Sequence, residues 1–251
     1  MIHANALIHP TARIDKGVAI GPDTVIERNV RIGSETKIGS RVLIGEGTRI
    51  GRACHILEFA KIGEVPKDFS RKRSKIRLVL GDANVVHECT TLDRGITGRT
   101  TIGHGNTFMP NSRVGHDCVI GNQIVLAIGA TLAGCNIVGS HVVFGGLASV
   151  DESHRIGDHA LVTAGTRVSR DIPPYMLASG TRARLFGLNA AGLKNHGFPE
   201  ESLKELKRAY YIIFRAGLTL KQALKRLAKE ELAQILEVQQ IIQFIQSAPK
   251  R

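Results

Sequence analysis

The chain has 251 residues, 43% of them hydrophobic and 22% charged, which suits a soluble protein of one elongated domain plus a smaller one and excludes a disordered chain. Trp is absent and aromatics make up 4%, so large rings do not build the core. A formal net charge of +12 fits either plain solubility or an acidic partner: nucleic acid, an anionic lipid surface, a nucleotide-sugar or an acidic carrier protein. No run approaches the roughly 20 apolar residues that span a bilayer, and Met1 to Ala4 lack the basic and apolar segments of a signal peptide. Cys54, Cys89, Cys118 and Cys135 form no C-x-x-C pair, so free thiols in a reducing compartment, the cytoplasm, are expected.

From the first residues an aliphatic side chain returns every six positions: Ile8, Ile14, Ile20, Ile26, Ile32, Ile38, Ile44, Ile50, Ile56, Ile62. The series resumes at Leu80, Val86 and Leu92, and again from Ile102 through Phe108, Val114, Ile120, Leu126 and onward to Val168. Gly often follows the aliphatic residue, as at Gly21, Gly33 and Gly45, and a small or β-branched residue sits four places after it, as at Thr24, Val30 and Thr36. This period fits neither an amphipathic helix nor an alternating strand. It fits a short strand plus a turn, with one aliphatic side chain pointing inward and Gly easing the turn. Each unit buries too little alone, so units must stack and share a core. It is the hexapeptide pattern of the left-handed β-helix family, and about eight coils are expected.

The phase breaks twice. Residues 64–78 are rich in Lys and Arg and read as a loop leaving the coil, and a shorter excursion separates Leu92 from Ile102. Loops held by a rigid scaffold tend to carry sites. The coil is expected to end near Asp171-Ile172-Pro173-Pro174-Tyr175, and the rest is helical. Pro199 with Glu200 and Glu201 starts a helix that Gly217 stops. Thr219 and Gln222 form a capping box for a second, and a third covers about 231–246. The fold class is thus mainly β: a left-handed parallel β-helix over 1–175 with an excursion at 64–78, then a C-terminal α-helical domain over 176–251.

Several stretches carry a closer resemblance: Ile8-His9-Pro10-Thr11-Ala12, Phe59 to Val65, Asn111 to Asn122, Ala130 to Gly134, Asp171 to Tyr175, and Phe186 to Asn189 followed by Gly192-Leu193-Lys194. Over nearly its whole length the chain resembles the UDP-N-acetylglucosamine O-acyltransferases of lipid A synthesis, as a divergent member. The resemblance implies a homotrimer with sites between neighbouring coils, an acyl-carrier protein as donor and a nucleotide-sugar as acceptor. It implies no metal and no cofactor beyond the carrier's pantetheine arm.

His116, in Val114-Gly115-His116-Asp117, aligns with the family's general base. An imidazole is suited to taking the proton of an attacking hydroxyl or amine. Gly134 aligns with the backbone N–H that holds the oxyanion of the tetrahedral intermediate. Asp68 matches a substrate-binding Asp in the excursion, and Asn189 a residue near the acyl path; a turn or cap role suits Asn189 equally. Other positions depart from the family. Arg113, Cys135 and the pair Asp151-Glu152 stand where it has His, His and His-Gln, Ala164 replaces its chain-length Gly, and Asn195-His196 replaces an Arg pair. These positions belong mostly to its sugar, diphosphate and acyl contacts.

The reading is therefore an enzyme, an acyl-carrier-protein-dependent acyltransferase acting on a hydroxyl or amine of a nucleotide-linked amino sugar. Weak activity with UDP-N-acetylglucosamine itself is expected, because a diphosphate is commonly held by Arg or Lys and because Asp151 and Glu152 favour an amine. The alternatives are acyl or acetyl transfer to a different sugar nucleotide and a non-catalytic trimeric scaffold. Nucleic acid is not an expected partner, since no aromatics interleave with the basic residues. A zinc site from His116, His154 and His159 is not expected, because they occupy different places in their hexads.

Overall fold

The computed structural model describes residues 1–65 and 78–247. Most coil strands are two residues long, one side chain outward and one inward, as in the exposed Arg31 and buried Ile32. Successive strands fall in turn on three sheets of nine, eight and ten strands, whose pairings along the coil are parallel. In the regular coils each residue therefore sits over the one eighteen positions later, as Arg113 over Thr131 and Thr131 over Ser149. The result is a left-handed parallel β-helix, a triangular prism with three flat faces and three rows of corner turns.

The interior is the aliphatic ladder: Ile26, Ile44, Ile62, Leu92, Val114, Leu132 and Val150 are each at most 2% exposed. Burying one such side chain contributes roughly 1.5–3 kcal/mol, too little to order a hexad alone but cumulative along the stack. The small residues four places later are inside as well. Thr24 and Thr36 hydroxyls donate to the Gly39 and Gly51 carbonyls, at 2.7 and 2.9 Å. The coil has nine rungs rather than about eight. The ninth combines the strand Arg167–Val168, a bridge from Ile172 to Ile156, and the strand Met176–Ser179 paired to Leu161–Val162. Pro173 and Pro174 interrupt the hexad there, which hid the last strand from the sequence pattern.

The glycine that follows the aliphatic residue has a different reason from the one expected. The left-handed residue of these turns lies two places further on and is commonly not Gly: Asp23, Glu35, Arg41, Asp117 and Cys135 all have φ between 54° and 60°. At Gly33 what matters is proximity, because a Cβ would lie 2.7 Å from the Gly51 backbone of the next coil.

After the coil an antiparallel strand, Arg184–Leu188, closes onto Met176–Ser179. Among the described residues four α-helices follow: α1 (Ala190–Asn195), α2 (Glu200–Phe214), α3 (Leu220–Lys229) and α4 (Leu236–Gln246). The capping box at Thr219 and Gln222 is present. The last helix starts later than expected, because Glu231 at φ 58° breaks the chain into a short 3-10 turn, Leu232–Gln234, first. α1 starts at Asn189 in the helix-cap role weighed for that residue, though the helix itself was not delimited in the sequence. Arg155 pins α4 to the coil by donating to the Phe244 carbonyl at 2.9 Å, with its guanidinium over the Phe244 ring. Among the described residues no helix is long and apolar enough to cross a membrane.

Candidate active site

The turns joining the nine-stranded sheet to the eight-stranded one form one row of corners. His116 follows the strand Arg113–Val114 there, Gly134 and Cys135 follow Thr131–Leu132 one coil on, and Asp151 and Glu152 follow Ser149–Val150 one coil further. Coil repetition thus brings residues eighteen apart into one column. The His116 carbonyl accepts from the Cys135 N–H at 2.8 Å, and the Gly134 carbonyl from the Ser153 N–H at 3.1 Å.

His116 is 7% exposed, and its Nδ1 lies 2.9 Å from Oδ2 of Asp117. Asp117 is itself fixed by the short excursion, whose Ile96, Thr97 and Gly98 N–H groups all donate to its carboxylate, Gly98 at 2.6 Å. Burial alone would raise the Asp117 carboxyl. The His116 hydrogen bond and these N–H donors outweigh burial and hold it below its usual range. An ionised carboxylate only accepts, so Nδ1 carries a proton, and in the neutral imidazole Nε2 is then the nitrogen with the lone pair.

Nε2 faces Gly134. A Cβ on Gly134 would fall 2.5 Å from it, so only glycine leaves the imidazole in place. Among the described residues the Gly134 N–H has no hydrogen-bond partner. Glu152 Oε1 lies 3.7 Å from Nε2 on the same side, on a side chain 57% exposed. Asp117, missed in the sequence reading, is the component that sets the tautomer; its signal was no more than adjacency to His116.

The other expected residues are placed differently. Arg113 is ion-paired. Its Nη2 donates to Asp93 Oδ2 at 2.7 Å, and the Asp93 side chain is 3% exposed. Burial pushes the Asp93 carboxyl up, while Arg113 pulls it down. Asp151 is likewise occupied, by Arg167 at 3.1 and 3.2 Å. Asn189 caps α1 by accepting from the Gly192 N–H and donating to the His159 carbonyl, in another corner row. Ala164 lies in the third corner row, over Gly145. Asp68 lies outside the described residues. Of the three His weighed as a zinc site, His154 is buried beside Asp171, and only His159 joins other imidazoles.

A groove of about 440 Å³ lies between the antiparallel strand and α2, lined by Phe186, Leu188, Leu203 and Tyr210 with Lys194, Lys204 and Lys207. On the next face of α2, Arg208 and Arg226 share Glu230, each at 2.9 Å.

Comparisons with known proteins agree with this architecture. Residues 171–251 match the family model for domain 2 of UDP-N-acetylglucosamine O-acyltransferase. The acyl-[acyl-carrier-protein]–UDP-N-acetylglucosamine O-acyltransferase of Thiobacillus denitrificans is 46% identical over 99% of this chain and 97% of its own. The protein of the same name from Alkalilimnicola ehrlichii is 50% identical over 90% of this chain and 89% of its own. Among solved structures, LpxA of Acinetobacter baumannii superposes with a TM-score of 0.94 at 34% identity, covering 99% of this chain and 97% of its own. With relatives so similar along almost the entire coil and helical region, the chain belongs to the UDP-N-acetylglucosamine O-acyltransferase family.

Proposed function

We propose that the chain transfers an acyl group from an acyl-carrier-protein thioester to a nucleotide-linked amino sugar, as in the first step of lipid A synthesis; its relatives are named acyl-[acyl-carrier-protein]–UDP-N-acetylglucosamine O-acyltransferases. The observation that carries the chemistry is the Asp117–His116 pair facing Gly134. His116 Nε2 takes the proton of the attacking group as that group bonds to the thioester carbon. The carbonyl oxygen becomes an oxyanion, for which the Gly134 N–H is the donor at hand. Collapse then breaks the C–S bond, and the leaving thiolate takes the proton back from His116. No metal enters these steps.

Carrier docking suits the groove beside α2, where Lys204 and Lys207 offer cations to an acidic carrier next to an apolar lining, Lys194 being paired with Glu200 at 3.2 Å. The reaction belongs in the cytoplasm, in keeping with four unbridged cysteines. Asn189 and Ala164 sit in corner rows other than that of His116, so one chain does not gather the expected residues into one place. A homotrimer with parallel axes, its sites shared between neighbouring coils, does so.

One observation favours a second acceptor. With Arg113 and Asp151 occupied elsewhere, Glu152 is the acidic departure left beside His116 Nε2, and a carboxylate there attracts an amine. The test is an assay of purified protein with acyl-carrier thioesters of several chain lengths against UDP-N-acetylglucosamine and an analogue bearing an amine at the acylated position. Thioester loss that requires a sugar nucleotide supports acyl transfer, and preference for the amine supports Glu152 as its selector. Thioesters stable against every acceptor would return the chain to a scaffold role.

A further inference from the structure

At the corner row between the eight-stranded and ten-stranded sheets, away from His116, three imidazoles converge. His141 and His159 stand eighteen residues apart on successive coils and stack at 4.6 Å between ring centroids. His196, the C-cap of α1, meets them edge-on at 4.8 and 5.0 Å. Each ring offers a nitrogen, and the three nitrogens lie within 4.8 Å of one another. Tyr175 and Phe198 wall the cluster, and Asp158 adds the nearby negative charge.

We propose that His141, His159 and His196 bind one zinc ion per chain, clamping the end of α1 onto the coil corner. Imidazole is a ligand of choice for zinc. Two nitrogens about 2.0–2.1 Å from a tetrahedral zinc are about 3.4 Å apart, so the nitrogens must draw together, and the stacked His141 and His159 rings must tilt out of parallel for both in-plane lone pairs to meet one ion. Two of the rings have a nitrogen to spare. Nδ1 of His141 and Nδ1 of His159 are buried without a hydrogen-bond partner among the described residues, an uncommon condition for a buried polar atom. Two of the rings are also shifted toward the neutral, ligating form. Burial and the other two imidazoles bring His159 down to about 4, and burial with His196 lowers His141. The three donors come from two coils and a helix end, so the ion would be a structural clamp, with water completing its shell.

The experiment uses the full chain, stripped with chelator, exchanged into clean buffer and titrated with zinc chloride. The expected result is saturation at one zinc per chain and a raised melting temperature. With cobalt chloride in place of zinc, visible absorption bands of a nitrogen-ligated ion should appear. His196→Gln changes an exposed cap residue and should keep the circular dichroism of the parent. It should weaken binding by at least the roughly tenfold that loss of a ligand's supporting partner costs. His159→Gln should do the same, and His55→Gln, on an exposed coil face, should change nothing. No saturable binding at micromolar zinc would overturn the proposal and leave a packed cluster of neutral rings. So would binding that survives His196→Gln unchanged.

Discussion

At His116 a neighbour decides which nitrogen carries the proton. Asp117, at φ 56°, turns its carboxylate back to Nδ1 while three N–H groups of the 94–99 excursion hold it. Asp117→Asn should therefore lower turnover by about 10²–10⁴, because an amide no longer enforces the Nδ1–H tautomer. The same carboxylate links stability to pH. Its folded value lies below the unfolded one, roughly 3.9, so its contribution is fully present above that value and is lost as pH falls through the folded value. Denaturant titrations below about pH 4 should show a steeper loss for the parent than for Asp117→Asn. The sequence exposed His116 and Gly134 through a motif. The Asp117 contact was not legible, because it depends on a left-handed turn residue and on a loop that interrupts the period. Arg113 and Asp151 were legible as departures, but their engagement by Asp93 and Arg167 was not, since those pairs form between coils.

Among the elements, the hexad was legible because every rung repeats one inward aliphatic side chain, so the pattern survives two insertions. The reason for its glycines was not, because it lies in the next coil. Gly33→Ala should destabilise the protein by ~1–3 kcal/mol, since its Cβ would press on the Gly51 backbone rather than on a side chain that can move. Equilibrium denaturation of the two proteins checks this, and an unchanged midpoint would mean the coils can spread. The helices were read from caps and apolar stripes, which located α2 and α3. α1 escaped because its six residues carry a single buried side chain, Leu193, and therefore no stripe.

For the whole molecule, the outward positions of the coil are informative. Val119 and Ile137, paired on adjacent rungs of the eight-stranded face, are 48% and 51% exposed, and Ile128 and Leu147, in the corner row between the ten- and nine-stranded sheets, are 56% and 73% exposed. Apolar residues stacked outward in this way suit a face covered by another copy. Sedimentation should give about 82 kDa, three chains of 27.2 kDa, and Ile137→Glu combined with Leu147→Glu should shift it toward the monomer. A monomer of the parent at micromolar concentration would remove the shared sites. The most direct measurement is carrier-thiol release from acyl-carrier thioester, with and without sugar nucleotide, for the parent and His116→Ala. Acceptor-dependent release by the parent, abolished in a variant that keeps its circular dichroism and assembly, is the predicted result; near-parent release by His116→Ala would contradict the assignment of His116 as the base.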